Sequence, residues 1–215
     1  SSVDKRLRFR SPERVKKELQ FFLDWQVPQV KFVDRTFNCK KDHALEIWKY
    51  LAEHDNGITN FHFEISADLL TDEEIQLMKK MRPGLIQLEI GVQSVNEDTL
   101  KAIGRKMDFS RVKERVRQVK EGGNIHQHLD LIAGLPWEDL ESFHRSFEEV
   151  YALEPEQLQL GFLKVLKGSR MYEEAKNCGC VYQGKEPYEV LFTRWISYGE
   201  LLQLKTVESM VEIYY

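Results

Sequence analysis

Four short segments alternate apolar with polar residues, and each is followed by the pattern of an amphipathic helix. The segments are 61–66, 86–91, 126–131 and 157–162. Strands that alternate with helices pair in parallel through right-handed crossovers. A parallel sheet covered by helices on both faces would instead show continuous apolar runs. The alternation therefore predicts a barrel-like sheet with helices outside and a polar, ligand-binding interior.

Hydrophobic periodicity and turn residues predict the order of the elements along the chain. A closed eight-stranded barrel takes about 250 residues, and five predicted strands therefore indicate a partial barrel. We assign residues 1–169 to this barrel and residues 170–215 to a helical C-terminal extension. The predicted strands are 30–34, 60–65, 85–92, 125–132 and 158–163. The predicted helices are one that starts at Pro12, one around 44–51, then 71–80, 96–103, 109–120, 140–153, 171–176 and a long helix from about Tyr188.

Charge and cysteine content exclude several classes of protein. The sequence has 31 Lys and Arg against 35 Asp and Glu, a net charge of −4, which disfavours binding to nucleic acid through bulk charge. No apolar run approaches the roughly 20 residues that span a membrane. Three cysteines, Cys39, Cys178 and Cys180, are too few for a disulfide scaffold. We expect a cytoplasmic protein without nucleic-acid or membrane partners.

Polar residues recur at the carboxyl ends of the predicted strands, where parallel α/β folds place their sites. Burying an unpaired carboxylate is costly, so cationic or hydrogen-bonding groups should face these residues. Pairing with neighbouring His, Arg and backbone donors alone would be the structural explanation. We expect at least four of them, Asp34, Glu64, Gln93 and Asp130, to line one concave surface. The candidates are Asp34, Glu64, Glu89, Gln93, Ser94 and Asp130.

Two motifs, about 40 residues apart, combine a strand with a glycine-containing turn and a helix. The first is Glu-Ile-Gly-Val-Gln-Ser at 89–94, and the second is Asp-Leu-Ile-Ala-Gly-Leu-Pro at 130–136. Gly91 and Gly134 have no Cβ, so a flat ligand could approach the backbone there. Each motif alone is weak, but the two in this order are specific.

Together with Leu-Lys-Ala-Ile-Gly-Arg-Lys at 100–106, these motifs resemble the radical S-adenosylmethionine (radical SAM) superfamily. The most similar branch contains oxygen-independent coproporphyrinogen III oxidase and the anaerobic magnesium-protoporphyrin IX monomethyl ester oxidative cyclase. The resemblance extends over residues 1–169, including 32–37 and 161–169. Residues 187–191 resemble the C-terminal extension of a cobalamin-linked subgroup.

The resemblance implies a partial (β/α) TIM-like barrel whose lumen holds S-adenosylmethionine and a four-iron (4Fe-4S) cluster. The full enzyme would cleave S-adenosylmethionine reductively to a 5′-deoxyadenosyl radical and abstract hydrogen from a small-molecule substrate, for which a tetrapyrrole is the first suggestion. An electron donor such as flavodoxin or ferredoxin would be a partner. Many similar proteins also carry cobalamin in an upstream domain.

The resemblance also implies roles for individual residues. Glu64, Gln93, Arg105 and Asp130 match positions that contact S-adenosylmethionine, and the turn that holds Ile132 and Gly134 matches the adenine-side motif. These residue types suit the ligand, because carboxylates and amides bind ribose hydroxyls and arginine binds carboxylates.

The sequence departs from the family pattern in lacking the three cluster cysteines spaced Cys-x3-Cys-x2-Cys. We expect these cysteines just upstream of Ser1, in a fragment that lacks the first strand and the cluster loop and whose C-terminal extension is also cut short. Such a fragment would hold no metal, bind S-adenosylmethionine weakly and be inactive.

Two other functions fit parts of the sequence. His126 and His128 point to one face of a strand and could serve a metal-dependent barrel hydrolase, although luminal histidines that face a substrate fit the pattern better. A non-catalytic, barrel-derived binding module is the third reading. The role of Cys178 and Cys180 stays open between a metal or redox pair and reduced loop thiols. The basic run at 5–17 is expected to be a solvated helix face.

Overall fold

A five-stranded parallel sheet forms the centre of the computed structural model, which describes residues 7–215. Its strands follow chain order, each paired with the next, so every crossover connects neighbouring strands. The arrangement confirms the predicted α/β class and the partial barrel. The strands are β1 (Gln29–Lys31), β2 (Asn60–Ile65), β3 (Ile86–Gln93), β4 (His126–Ala133) and β5 (Gln157–Phe162).

Helices connect the strands, and polar side chains cap several of their N-termini. In the third helix, Thr71 accepts from the backbone N–H of Glu74, whose carboxylate accepts in return from the Thr71 backbone. Such a capping box satisfies two otherwise unpaired donors. The helices are α1 (Pro12–Asp24), α2 (Lys41–Glu53), α3 (Asp72–Met78), α4 (Glu97–Ala102), α5 (Phe109–Lys120), α6 (Leu140–Tyr151), α7 (Arg170–Glu174) and α8 (Tyr198–Tyr214).

Alternating burial along the strands separates the core from the lumen. On β3 the apolar residues are buried, whereas the polar and glycine positions between them are only half-buried. The buried side chains of β2 to β5 pack with the helices in one continuous core. Burial of this apolar surface is the main stabilising term, at about 25 cal/mol per Å². The buried residues of β3 are Ile86, Leu88, Ile90 and Val92.

The first strand is shorter than predicted. It ends at Lys31, although the N–H of Phe32 still donates to His62 O at 2.9 Å. The Phe32 ring stacks on Phe63 at 4.5 Å and meets Phe37 edge-on at 5.1 Å, on the core side of the sheet. Asp34 therefore lies beyond the strand rather than at its end.

The long helix predicted from about Tyr188 is wrong in its start. The segment forms a small antiparallel hairpin of β6 (Val181–Tyr182) and β7 (Val190–Phe192), and α8 begins only at Tyr198. Backbone hydrogen bonds explain the difference: the N–H of Val190 donates to Leu163 O, and the N–H of Val165 donates to Tyr188 O, both at 2.9 Å. Residues 188–190 thus pair with the chain after β5 instead of forming the start of a helix.

Within residues 7–215, no helix is both long and apolar enough to cross a membrane. The basic run at 5–17 begins outside the described residues. From Pro12 onward it lies on α1, where Lys16 pairs with Glu46 at 2.6 Å.

Candidate functional site

Three carboxylates from neighbouring strands face the lumen. Glu64 on β2 is the register partner of Glu89 on β3, and Asp130 on β4 is the partner of Gly91, two residues further along β3. Because residues two apart on a strand point to the same face, the three carboxylates share the lumen, as the sequence predicted for Glu64 and Asp130.

Glu89 is the best compensated of these carboxylates. Its Oε2 atom lies 2.9 Å from Lys31 Nζ and 2.8 Å from His62 Nε2. Burial raises its pKa, but the hydrogen bond and charge of Lys31 and the nearby histidines bring the pKa below its usual value. Glu64 has no ion pair or side-chain hydrogen bond within residues 7–215, and burial together with the charge of Glu89 raises its pKa although Lys31 and Arg105 act in the opposite direction. Glu89 thus carries its negative charge at neutral pH within an ion-paired cluster.

Asp130 is the most perturbed of the luminal acids. Burial, followed by the charge of Glu89, raises its pKa to about 7, although nearby Arg105 acts in the opposite direction. Its Oδ1 atom is buried and has no hydrogen-bond partner among the described residues. A buried polar atom without a partner is exceptional in native structures and marks a position for a ligand or water.

Arg105 reaches the lumen from the loop after α4. Its Nη2 donates a hydrogen bond to the backbone carbonyl of Gly91. A Cβ on Gly91 would lie 3.5 Å from Arg105 Nη2 and 3.6 Å from Asp130 Oδ1, which is ordinary contact distance. Arg105, Gly91 and Asp130 therefore meet at one point near the carboxyl ends of β3 and β4.

Gln93 ends β3 in a strained turn. Its φ is +68°, and the N–H of Ser94 donates across it to Val92 O at 2.9 Å. The register of β3 against β4 shifts between Gly91 and Gln93. A three-residue turn with positive φ is rare outside glycine, and here it leaves the Gln93 side chain half-buried. Ile132 is also half-buried, two residues beyond Asp130 and beside Gly161 of β5.

Two predicted site residues lie away from the lumen. The charge of Asp34 acts on Cys39 and His43, on the helix side of β1, because Phe32 and Asp34 share one face of the extended chain. Gly134 has φ +84°, and a Cβ there would meet Val190 Cγ1 at 2.6 Å. It is required for packing against the C-terminal segment rather than for ligand approach.

Ser94 was also predicted to belong to the luminal site, but its side chain is fully buried. Its Oγ donates to Glu138 Oε1 at 2.6 Å, and Ser146 Oγ donates to the same oxygen at 3.0 Å. Burial raises the pKa of Glu138 to about 7 despite both hydrogen bonds. Sequence reasoning missed this network, and only the polarity of 138 and 146 at otherwise core-facing positions signals it.

Lys31 was missed as a luminal residue, although the alternation of β1 contains the signal, whereas the polar face of β2 already included His62. Of the histidine pair His126 and His128, His128 is buried, and burial lowers its pKa. The Nε2 atoms of His126 and His128 have no hydrogen-bond partner among the described residues.

No group of three or more His, Cys, Asp and Glu side chains within residues 7–215 has the arrangement of a metal site. Cys178 and Cys180 are buried free thiols, and burial raises the pKa of Cys180 to about 11. A thiol of this kind is a poor nucleophile and a poor ligand at neutral pH.

The fold and lumen define a partial βα barrel with a charged site at the carboxyl ends of its strands. Residues 2–150 match the family model described as the radical SAM superfamily, and this chain belongs to that superfamily. Residues 176–215 match a second model, described as a protein of unknown function (DUF4080).

Two curated proteins of Bacillus subtilis are similar to part of this chain. The oxygen-independent coproporphyrinogen-III oxidase-like protein HemZ of Bacillus subtilis is 32% identical over 104 residues, which cover 48% of this chain and 20% of that protein. The heme chaperone HemW of the same organism is 24% identical over 149 residues, or 67% of this chain and 38% of that protein. The chain therefore matches between a fifth and two fifths of the length of these relatives.

Solved structures share the fold at low identity. The radical S-adenosylmethionine methyltransferase TsrM of Kitasatospora setae, a structure with cobalamin and a [4Fe-4S] cluster bound, aligns with a TM-score of 0.70 at 17% identity, over 83% of this chain and 37% of TsrM. Coproporphyrinogen III oxidase (HemN) of Escherichia coli aligns with a TM-score of 0.62 at 17% identity, over 94% and 47%. Both alignments support the partial barrel.

Proposed function

We propose that the lumen of this chain binds S-adenosylmethionine as the cosubstrate site of a radical SAM enzyme. The observation that carries the proposal is the meeting of Asp130, Arg105 and Gly91, with a buried and unpartnered carboxylate oxygen on Asp130. Membership of the superfamily makes S-adenosylmethionine the ligand to expect there.

The luminal residue types fit the parts of this ligand. Asp130 and Glu64 would accept hydrogen bonds from the ribose hydroxyls and attract the positive sulfonium and amino groups, and the Gln93 amide would bind ribose. The Arg105 guanidinium would meet the carboxylate of the methionine part. Ile132 would offer an apolar surface to adenine. Glu89, which contacts Lys31 and His62, would keep a negative charge in the lumen, two residues before Gly91 on β3.

In the full enzyme, one electron from a reductant outside this chain would cleave S-adenosylmethionine to methionine and a 5′-deoxyadenosyl radical, and that radical would abstract hydrogen from a substrate to give 5′-deoxyadenosine. We propose a small molecule as that substrate, and coproporphyrinogen oxidase-like relatives make a tetrapyrrole the first to try. We also propose that the protein is cytoplasmic and that flavodoxin or ferredoxin is its electron donor. The same proposal divides the chain into a core barrel (1–169) and a C-terminal extension (170–215).

A four-iron cluster does not fit the residues of this sequence. Of its three cysteines, Cys39 follows β1, whereas Cys178 and Cys180 lie in the loop after α7, and no three are spaced for a cluster. The expected position of the cluster cysteines, upstream of Ser1, stays a prediction that the preceding coding sequence tests. A cobalamin domain upstream is tested in the same way.

Titration of the chain with S-adenosylmethionine, followed by calorimetry or ligand-observed NMR, tests the proposal. Without chelation to a cluster we expect a dissociation constant of order 1 mM or weaker, equivalent to at most roughly 4 kcal/mol. Asp130→Ala and Gln93→Ala should each weaken binding further. Glu148→Ala, on an exposed position of α6, is the matched control and should leave the affinity unchanged.

Affinity unaffected by Asp130→Ala and Gln93→Ala would show that the ligand site is misplaced. Absence of any binding, together with an upstream coding sequence free of the cysteine motif, would favour the non-catalytic binding module.

A further inference from the structure

We propose that a second, separate cavity between α4 and α5 binds a small molecule carrying a phosphate or other doubly charged oxyanion. The cavity has a volume of about 470 Å³ and is formed by the end of α4 and the loop that follows it. A volume of roughly 300–1,000 Å³ is typical of small-molecule sites, so the cavity has room for a phosphate and the body that carries it.

The lining of the cavity is strongly cationic. Lys101, Arg105 and Lys106 contribute three positive charges, against the single acid Glu97. Neither lysine has an ion pair or side-chain hydrogen bond among the described residues. Lysines elsewhere on the surface do pair with a carboxylate, as Lys113 pairs with Glu149 at 2.9 Å. The charges of these two lysines are therefore available to an external anion, whereas Asp130, Asp68 and Glu64 already act on the charge of Arg105.

Arg105 adds donors with a fixed geometry. Of the five N–H groups of a guanidinium, the contacts of Arg105 use one, the hydrogen bond from Nη2 to Gly91 O. Its Nε is buried and has no acceptor among the described residues. Planar, forked donors of this kind bind phosphate and carboxylate in a bidentate manner, which two flexible lysines alone cannot do.

A fourth cationic side chain, that of Arg170, lies next to the cavity at Gly104. The Nη1 atom of Arg170 lies 3.0 Å from where a Cβ on Gly104 would be, and Gly104 has φ +71°. Glycine thus lets the Arg170 guanidinium come close to the cavity wall, while its Nε pairs with Glu174 at 2.7 Å. Leu100 and Met107 supply the apolar part of the lining. The fitting ligand combines a dianionic group with a small apolar body.

The cavity and the lumen share Arg105 as a common wall but differ in their other residues. The luminal acids Asp130 and Glu64 are not among the residues that line the cavity, and neither Lys101 nor Lys106 is among the charges that shift the pKa of Asp130 or Glu64. The site is therefore testable apart from the proposed cosubstrate site, and its failure would leave that proposal intact.

The experiment is an NMR titration of the isotopically labelled chain with inorganic phosphate, repeated with malonate as a dicarboxylate and with chloride at matched ionic strength. We expect saturable shifts at residues 97–107 with phosphate and none with chloride, since general screening would act on all surface charges. Saturation with malonate as well would assign the site to dianions in general, and saturation with phosphate alone to phosphate esters. Both results support an oxyanion site.

The double variant Lys101→Gln/Lys106→Gln should weaken phosphate binding by about tenfold or more, because two charge-assisted contacts are lost. Lys79→Gln/Lys113→Gln removes the same charge from paired surface positions and should change the affinity by less than about twofold. Equal weakening in both variants would overturn the proposal, as would shifts that do not saturate. Full displacement of phosphate by S-adenosylmethionine would overturn it too, because the cavity would then be part of the cosubstrate site.

Discussion

Asp130 and Glu138 are two carboxylic acids of the same segment, and burial raises the pKa of each to about 7. Their surroundings nevertheless differ. Glu138 is 1% exposed and accepts hydrogen bonds from Ser94 and Ser146, in a network closed to solvent. Asp130 faces the lumen, near Arg105, and is only half-buried as a residue. Each carboxylate has one buried oxygen without a partner among the described residues, Asp130 Oδ1 and Glu138 Oε2, so what separates the two acids is the access of a ligand to them. A raised pKa alone therefore does not identify a ligand site, and the open or closed surroundings of the group must decide.

The comparison assigns different roles to the two regions. The Glu138 network joins Ser94, after the end of β3, to Ser146 on α6 through the loop between β4 and α6, so its effects should appear in stability. The Asp130 region holds a strained turn, an arginine from a loop and a free carboxylate oxygen, so its effects should appear in ligand binding. Residues with shifted pKa values are concentrated at functional sites, but structural hydrogen-bond and ion-pair networks shift pKa values as well.

The largest expected effect is a pH dependence of stability. Between about pH 4 and pH 7 the folded protein holds protons on both acids that the unfolded chain has released, so the free energy of unfolding falls as the pH rises and stays low above pH 7. A shift from 3.8 to about 7 at Asp130 corresponds to roughly 4 kcal/mol, and from 4.5 to about 7 at Glu138 to roughly 3 kcal/mol.

Urea denaturation from pH 4 to pH 8 measures this dependence. Asp130→Asn and Glu138→Gln should each remove their own share of the decline, and the double variant should remove both. Variants whose unfolding free energy declines with pH as steeply as that of the wild type would show that neither acid is protonated in the folded state.

Two glycine variants separate packing from ligand approach. Gly134→Ala should lower the free energy of unfolding by about 2–3 kcal/mol, because its Cβ would clash with Val190 at a positive φ. Gly91→Ala, where the Cβ meets ordinary contact distances, should cost less than about 1 kcal/mol. Thermal or urea unfolding of both variants measures the difference. Equal costs would mean that Gly134 is not held against the C-terminal segment.

Ser146→Ala should destabilise the protein by about 1–3 kcal/mol, since it removes a donor to Glu138 and leaves a buried group unsatisfied. The Val95 N–H, which donates to Ser146 Oγ at 3.1 Å, loses its acceptor as well. Affinity for S-adenosylmethionine, measured by ligand-observed NMR, should not change. A loss of affinity without a loss of stability would move the network into the ligand site.

The smallest effect concerns the strained turn. Gln93→Gly should raise the free energy of unfolding by up to about 1 kcal/mol, because glycine tolerates φ +68°, while it weakens cosubstrate binding. Gln26→Gly is the control, since Gln26 has φ +48° after α1 and lies away from the lumen; it should add stability without changing affinity. Unchanged affinity in Gln93→Gly would remove Gln93 from the site.

Alternation along the strands was enough to predict the lumen. It placed Glu64, Glu89 and Asp130 on one face, and the order of the five strands followed from the helix and turn patterns. The same periodicity failed for Asp34, because β1 ends at Lys31 and Asp34 lies beyond it. It also failed for Ser94, because the turn at Gln93 redirects the chain into the core after the strand.

Long-range packing explains the other failures. Nothing near Gly134 in the sequence announces Val190, which approaches it only because the chain after β5 returns to pair with the end of that strand. The same return replaces the helix predicted from Tyr188 with β7. Contacts of this kind join residues from 23 positions apart (Val165 and Tyr188) to 56 positions apart (Gly134 and Val190) and leave no local pattern.

The most direct test measures the two pKa values by NMR with carbon-13-labelled carboxyl groups, without and with saturating S-adenosylmethionine. Hydrogen bonds from ribose and the positive charge of the ligand favour the ionised carboxylate, so the pKa of Asp130 should fall below about 7 while that of Glu138 stays unchanged. S-adenosylhomocysteine, which lacks the sulfonium charge, should produce a smaller decrease. A pKa of Asp130 that does not move on saturation, or one that moves together with that of Glu138, would contradict the luminal site.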